Sequence, residues 1–166
     1  HREGIAAAKI HLVGNIMIDT LRHYEPQART RHTCRLYDLL AGNYALVTLH
    51  RPSNVDEPEK LQSFLDMLSH IHDRLPVLFP AHPRTQARLK EWGLELQKGL
   101  RLCTPVGYLD FLSLMADARL VLTDSGGVQE ETTALGIPCL TLRQNTERPA
   151  TVVYGTNTVV GTDPCQ

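Results

Sequence analysis

Residues 119–149 read RLVLTDSGGVQEETTALGIPCLTLRQNTERP, and this stretch decides the fold. Leu120-Val121-Leu122 is a short apolar run of strand type, and Thr123 to Gly127 interrupts it with turn formers. Val128 to Leu135 then has the composition of a helix, which Gly136-Ile137-Pro138 stops. Cys139 to Leu142 is a second strand. Strand, glycine turn, helix, strand is the repeating unit of a doubly wound parallel sheet, and ligands bind such sheets at the carboxyl ends of their strands. Two glycines let a ligand approach the backbone without meeting a Cβ. The first turn of the next helix offers unpaired N–H groups and the positive end of the helix dipole to an anion. Ser125 adds a hydroxyl, and Glu131, further along the helix, offers an acceptor pair suited to vicinal hydroxyls such as those of a ribose. The same residues also suit a plain helix start, with Ser125 as cap and Glu130 and Glu131 complementing the dipole. The turn is neither a Walker loop, since no Gly-Lys-Ser/Thr follows, nor a GxGxxG loop.

Working outward, the chain repeats the unit. Tyr44 to Leu49 is an apolar strand followed by His50-Arg51-Pro52-Ser53-Asn54. Glu57 to Leu75 has the clearest helical pattern, with Leu61, Phe64, Leu65, Leu68, Ile71 and Leu75 at three- and four-residue steps between Pro58 and Pro76. His70 and His72 lie on that helix, but two residues apart, a spacing that does not put a metal-ligand pair on one face. Val77 to Phe79 is a strand followed by Pro80-Ala81-His82-Pro83-Arg84, and Thr85 to Trp92 is a helix. Leu100 to Cys103 is a strand, and Tyr108 to Ala118 a helix on which Phe111 falls one residue off the apolar stripe, free either for the core or for stacking on a base. Arg143 to Pro149 is a polar loop at a further strand end, and Tyr154 to Thr162 reads as a last strand.

His50, Arg51, His82, Ser125, Gly126, Gly127 and Arg148 therefore all follow strands, and a parallel sheet gathers them on one rim. Arginines there can pair with phosphate, and a histidine can act as acid, base or donor near neutrality. The bland alternative for His50 is a residue that only holds its turn.

Amino-terminal to this, Ile10 to Val13 reads as a strand with a Gly14-Asn15 turn, followed by an apolar segment ending at Leu21. Residues 22–35, rich in Arg and His and containing Pro26, read as a connector between structural units. The 166 residues suffice for one domain with a core, or for a domain plus a piece of another. At 42% hydrophobic and 21% charged the composition is that of an ordinary globular protein. A net charge of −1 leaves no electrostatic footprint for nucleic acid or an anionic membrane, and no apolar run reaches membrane-spanning length. The four cysteines, Cys34, Cys103, Cys139 and Cys165, are scattered without a CxxC, and a reduced, cytoplasmic setting is the simplest reading. The chain starts at His1-Arg2-Glu3 and ends just past a strand-like run, so both ends read as cut and a fragment is expected.

VTLHRPSN, YLDFLSLM, LTDSGGVQEE, and TERP followed by GTNTVVGTD, in this order, resemble the non-hydrolysing UDP-N-acetylglucosamine 2-epimerases. The resemblance runs from VGNIMID at residues 13–19 to the end of the chain. It implies a Rossmann-like carboxyl-terminal domain of a two-domain GT-B enzyme: residues 1–35 end the amino-terminal domain and connect it, and residues 36–166 form an incomplete UDP-binding domain. It implies interconversion of UDP-N-acetylglucosamine and UDP-N-acetylmannosamine by elimination and re-addition of UDP, without metal or cofactor, in a homodimeric full-length protein. The base at C2 is then a carboxylate of the missing amino-terminal domain.

Residue by residue, the resemblance assigns Ser125, Gly126 and Gly127 to the diphosphate, Glu131 to the ribose, Arg148 to the phosphate region and Phe111 to a position beside the uracil. His50 matches the active-site histidine at the diphosphate. Arg51 and His82 resemble positions that some bacterial members use for a second, regulatory UDP-N-acetylglucosamine. The chain departs from the family where Pro52-Ser53-Asn54 stands for the frequent Arg-Glu-Asn, and where Ala150 follows TERP in place of Glu. The competing reading is the donor-nucleotide domain of a GT-B glycosyltransferase, which would use the same cradle; a third is a half-enzyme without catalysis of its own.

Overall fold

A computed structural model describes residues 3–94 and 100–163. Cys165 and the end residues His1, Arg2 and Pro164 fall outside the described residues. The elements are α1 (Ile16–Arg29), β1 (Ala45–Thr48), α2 (Pro52–Val55), α3 (Pro58–His72), β2 (Val77–Pro80), α4 (Pro83–Glu91) and β3 (Arg101–Cys103). After them come α5 (Tyr108–Ala116), β4 (Leu120–Thr123), α6 (Gly126–Leu135), β5 (Cys139–Thr141), α7 (Pro149–Val153) and β6 (Asn157–Val159).

The six strands form one parallel sheet in the order β3-β2-β1-β4-β5-β6. This is the doubly wound arrangement expected from the sequence. The strand order reverses between β1 and β4, and a crevice opens there at the carboxyl ends. Strand periodicity divides the core between two layers. Ala45, Val47, Val77, Phe79 and Leu122 point to the layer that packs Leu61, Phe64, Leu65 and Leu68 of α3. Tyr44, Leu46, Leu78 and Val121 point to the opposite layer, where Leu21, Ala28, Leu112, Met115 and Val128 come from α1, α5 and α6. Both sheet faces are thus covered, which is why the strands read as continuous apolar runs. Gly136 ends α6 at a φ of 74°, a left-handed cap that glycine adopts without strain.

The amino-terminal reading needs two corrections. Residues 10–13 form no strand. Leu12 is 99% exposed and Val13 85%, so apolarity without a neighbouring strand produces only an extended segment after a short 3-10 turn at Ala7–Lys9. The stretch read as a connector is helical over residues 22–29 rather than irregular. Asn15 caps α1 by accepting from the Met17 amide at 3.0 Å. Glu25 then bonds Arg22 and Arg29 at 2.8 Å each, bracketing Pro26 with side-chain contacts on both sides. Leu21 and Ala28 are buried against α5 and α6, and Arg22 donates at 2.6 Å to the Ala134 carbonyl in the last turn of α6, where a cation also suits the dipole. Packing has overridden the helix-breaking signal of the proline. A 3-10 turn at Thr33–Tyr37 follows α1.

Candidate functional site at the switch point

β1 and β4 pair with Thr48 opposite Thr123, so the loops that leave them start side by side. The carboxylate that joins them belongs to Asp124. It is fully buried, and its Oδ2 accepts from the amide of Arg51 at 2.9 Å, the amide of His50 at 3.1 Å and Nδ2 of Asn54 at 3.1 Å. Oδ1 lies 3.1 Å from Nδ1 of His50. Arg51 Nε donates to the Asp124 carbonyl at 3.0 Å, and Asn54 also donates to the Leu142 carbonyl at 3.0 Å. A buried carboxylate is tolerated only with such a shell of donors. Asp124 and Asn54 thereby fix the His50 loop to the start of α6. In the sequence Asp124 is just one turn former among several. The usable signal is its position, directly after a buried strand and before a helix start.

Ser125 is the cap residue of α6, yet its hydroxyl makes no capping bond. The plain-cap alternative is therefore not realised, and the first-turn amides keep the unpaired character of any helix start. The two glycines differ. A Cβ at Gly126 would stand 3.8 Å from Nε of Arg148, whereas one at Gly127 would fall 2.8 Å from Cε of Met17 on α1. Gly127 thus accommodates a side chain of this protein, and Gly126 faces the cation. Arg148 Nε is also 3.5 Å from Glu130. Its loop is held by a polar network anchored on the buried Gln129 and Asn157: Thr146 Oγ1 donates to Gln129 Oε1 at 2.5 Å and accepts from the Arg148 amide at 3.0 Å, while Asn157 Nδ2 donates to the same Gln129 oxygen at 3.2 Å.

On the other side of His50, a cleft of about 230 Å³ is lined by His50, His82, Phe111, Pro105, Val106 and Val128, among others. It is below the ~300–1,000 Å³ of typical small-molecule sites, enough for a base or a phosphate and not for a whole nucleotide sugar. Phe111 is half-buried and lines this cleft, so the stacking alternative is geometrically open. The His50 and His82 ring centroids are 6.1 Å apart, and His82 also caps α4 through Nδ1, which accepts from the Arg84 amide at 3.2 Å. Arg51 turns the opposite way, its Nη2 3.9 Å from Glu147. Glu147 is clamped by Arg143 through two bonds of 2.6 Å, and this pairing holds its carboxyl down at about 2. A larger cleft of about 590 Å³ lies between α4 and β3, and among the described residues that line it Lys90 is the charged one.

Glu131 is 7% exposed, and burial pushes its carboxyl above the ordinary range. Tyr108 donates to its Oε1 at 3.3 Å, and burial together with that carboxylate raises the phenol to about 12. Tyr108, Asp124, Asn54, Gln129 and Arg143 all shape the rim and are not among the residues picked out from the sequence.

The sequence profile of the family described as UDP-N-acetylglucosamine 2-epimerase matches residues 1–166. The chain belongs to this family. It is 43% identical over 170 residues to UDP-N-acetylglucosamine 2-epimerase of Methanocaldococcus jannaschii, covering 96% of this chain and 46% of that protein. The crystal structure of that enzyme in complex with UDP-GlcNAc and UDP superposes with a TM-score of 0.87 at 42% identity, over 98% of this chain and 47% of that one. A UDP-2,3-diacetamido-2,3-dideoxy-D-glucuronate 2-epimerase of Pseudomonas aeruginosa is 39% identical over 156 residues, covering 93% of this chain and 42% of that protein. The chain thus spans about half the length of the relatives it matches. Membership in the family fits a sheet whose switch point carries a helix start, an arginine and a histidine.

Proposed function

We propose that this chain is the UDP-binding half of a UDP-N-acetylglucosamine 2-epimerase. The observation that carries the reading is the convergence of the α6 start, Arg148 and His50 on the crevice between β1 and β4. Ser125, Gly126 and Gly127 receive the diphosphate, with Arg148 and His50 as flanking donors. Phe111 borders the uracil, and Glu131 takes the ribose hydroxyls. In the reaction a carboxylate outside this chain removes the C2 proton. The C1–O bond breaks with its electron pair passing to the leaving diphosphate, and re-addition after protonation on the other face of C2 gives the epimer. Dipole and cation at the diphosphate stabilise the charge that develops on it. UDP is common to the substrates for which the relatives are named, and the sugar contacts fall to the other half.

Residues 1–35 are proposed as the end of the preceding domain and its connector, α1 being a connector docked on α5 and α6. Arg51 and His82 remain candidates for a second nucleotide sugar. A homodimer of the whole protein belongs to the same reading. So does a cytoplasmic setting, which suits the free Cys34, Cys103 and Cys139; no helix among the described residues is long and apolar enough to cross a membrane.

The test is titration of the chain with UDP, followed by amide NMR. The expected shifts are centred on Gly126 and Gly127, and their absence at saturating UDP overturns the cradle. Incubated with UDP-N-acetylglucosamine, the chain alone is expected to yield no UDP-N-acetylmannosamine.

A further inference from the structure

We infer that Asp124 is a positioning residue for His50: it fixes the imidazole with its neutral-state proton on Nδ1 and leaves Nε2 as the nitrogen that meets the ligand. The inference rests on the reading of His50 as a residue that faces the diphosphate.

The two carboxylate oxygens have different company. Oδ2 receives three N–H donors, from the His50 amide, the Arg51 amide and Asn54. Oδ1 has the His50 amide at a longer 3.3 Å and the ring nitrogen Nδ1 at 3.1 Å. A carboxylate only accepts, so the Nδ1 contact is attractive when that nitrogen carries a hydrogen and repulsive when it presents a lone pair. The main-chain bonds to the same carboxylate prevent the ring from escaping by a shift of its loop. Asp124 is fully buried, so on its side the contact has no competing water, while the His50 ring keeps an exposed edge for a ligand. The arrangement parallels the use of a carboxylate to hold a histidine in one tautomer elsewhere in enzymology.

The consequence is specific. With its proton on Nδ1, neutral His50 presents a lone pair at Nε2. To donate to a phosphate oxygen it takes up a second proton there, and Asp124 then faces the Nδ1 hydrogen of the imidazolium as its counter-charge. Replacing Asp124 by Asn reverses the tautomer. The amide oxygen takes the Oδ2 place, where three donors converge, and the NH₂ takes the Oδ1 place. There it donates to Nδ1, so the ring proton moves to Nε2.

The experiment is a long-range ¹⁵N–¹H correlation of the histidine rings of this chain at about pH 8.5, above the ordinary imidazole value of ~6.5, without nucleotide. His50→Gln assigns the signal. Wild type is expected to show Nδ1 as the protonated nitrogen and Nε2 as the unprotonated one. Asp124→Asn is expected to exchange the two while the amide spectrum stays dispersed. An Nε2–H tautomer in wild type overturns the inference, and so does an unchanged tautomer in a folded D124N. Should D124N fail to fold, the wild-type tautomer still decides. Because no nucleotide is present, the result is independent of UDP binding. Loss of the cradle shifts with an Nδ1–H His50 refutes the proposed function alone, and the converse refutes only this inference.

Discussion

The methyl carbon of Met17 occupies the place against Gly127 that any Cβ would need, 2.8 Å from the position such an atom would take. One glycine of the turn therefore gives room to a side chain of the helix that precedes the sheet. Gly127→Ala gains helix propensity of up to ~1 kcal/mol but forces the thioether tip to move. The expected outcome is coupling: G127A is neutral or destabilising in wild type and stabilising by roughly 0.5 kcal/mol in a Met17→Ala background. Chemical denaturation of the four proteins measures it, and equal effects of G127A in both backgrounds would show that the contact is not made.

Arg148 is the cation closest to Gly126, and it is shared with Glu130 at 3.5 Å. A charge-assisted hydrogen bond contributes about 1.5–3 kcal/mol, and competition from Glu130 places the effect at the lower end. Arg148→Ala is expected to weaken UDP binding by about tenfold and uridine binding little, since uridine lacks phosphate. Calorimetric titration with the two ligands checks this. Equal losses would remove the phosphate role.

The sheet was legible because each strand is a short apolar run closed by turn formers, and because right-handed crossovers leave few topologies. The rim followed from the same rule: whatever succeeds a strand in a parallel sheet arrives at one edge. α1 was not legible, since Pro26 and a run of charges mask a helix that buries only Leu21 and Ala28 within its 14 residues. Asp124 was not legible either. Its donors lie 70 to 74 residues away, at Asn54, Arg51 and His50, so its burial is created by strand pairing and leaves no local pattern. Nor does spacing reveal that Met17 covers Gly127, because that contact depends on how α1 docks.

Glu147 predicts a pH dependence. Arg143 holds its carboxyl at about 2, below the unfolded value of ~4.3. A depressed carboxylate stabilises the fold above the unfolded value, and the contribution disappears as pH falls through the folded one. Glu147→Gln should lower stability by a constant amount at neutral pH, and the difference from wild type should close between about pH 4.5 and 2. Melting temperatures of the two proteins across that range measure it; a gap that persists at the acid end would assign the loss to packing.

Glu131 predicts the opposite sign and ties stability to ligand choice. Burial raises its carboxyl, so folding is favoured while the group is protonated. That advantage is complete below the unfolded value and is lost as pH rises through the raised folded one. Glu131→Gln keeps the shape and removes the charge. It is therefore expected to stabilise the protein at neutral pH and to match wild type in acid, with Tyr108 donating to the amide oxygen in place of the carboxylate. The same carboxylate is proposed to accept both ribose hydroxyls. Wild type should prefer UDP to 2′-deoxy-UDP, and Glu131→Ala should bind the two alike. If E131A discriminates between the nucleotides as wild type does, the carboxylate belongs to the Tyr108 contact alone and the ribose assignment falls.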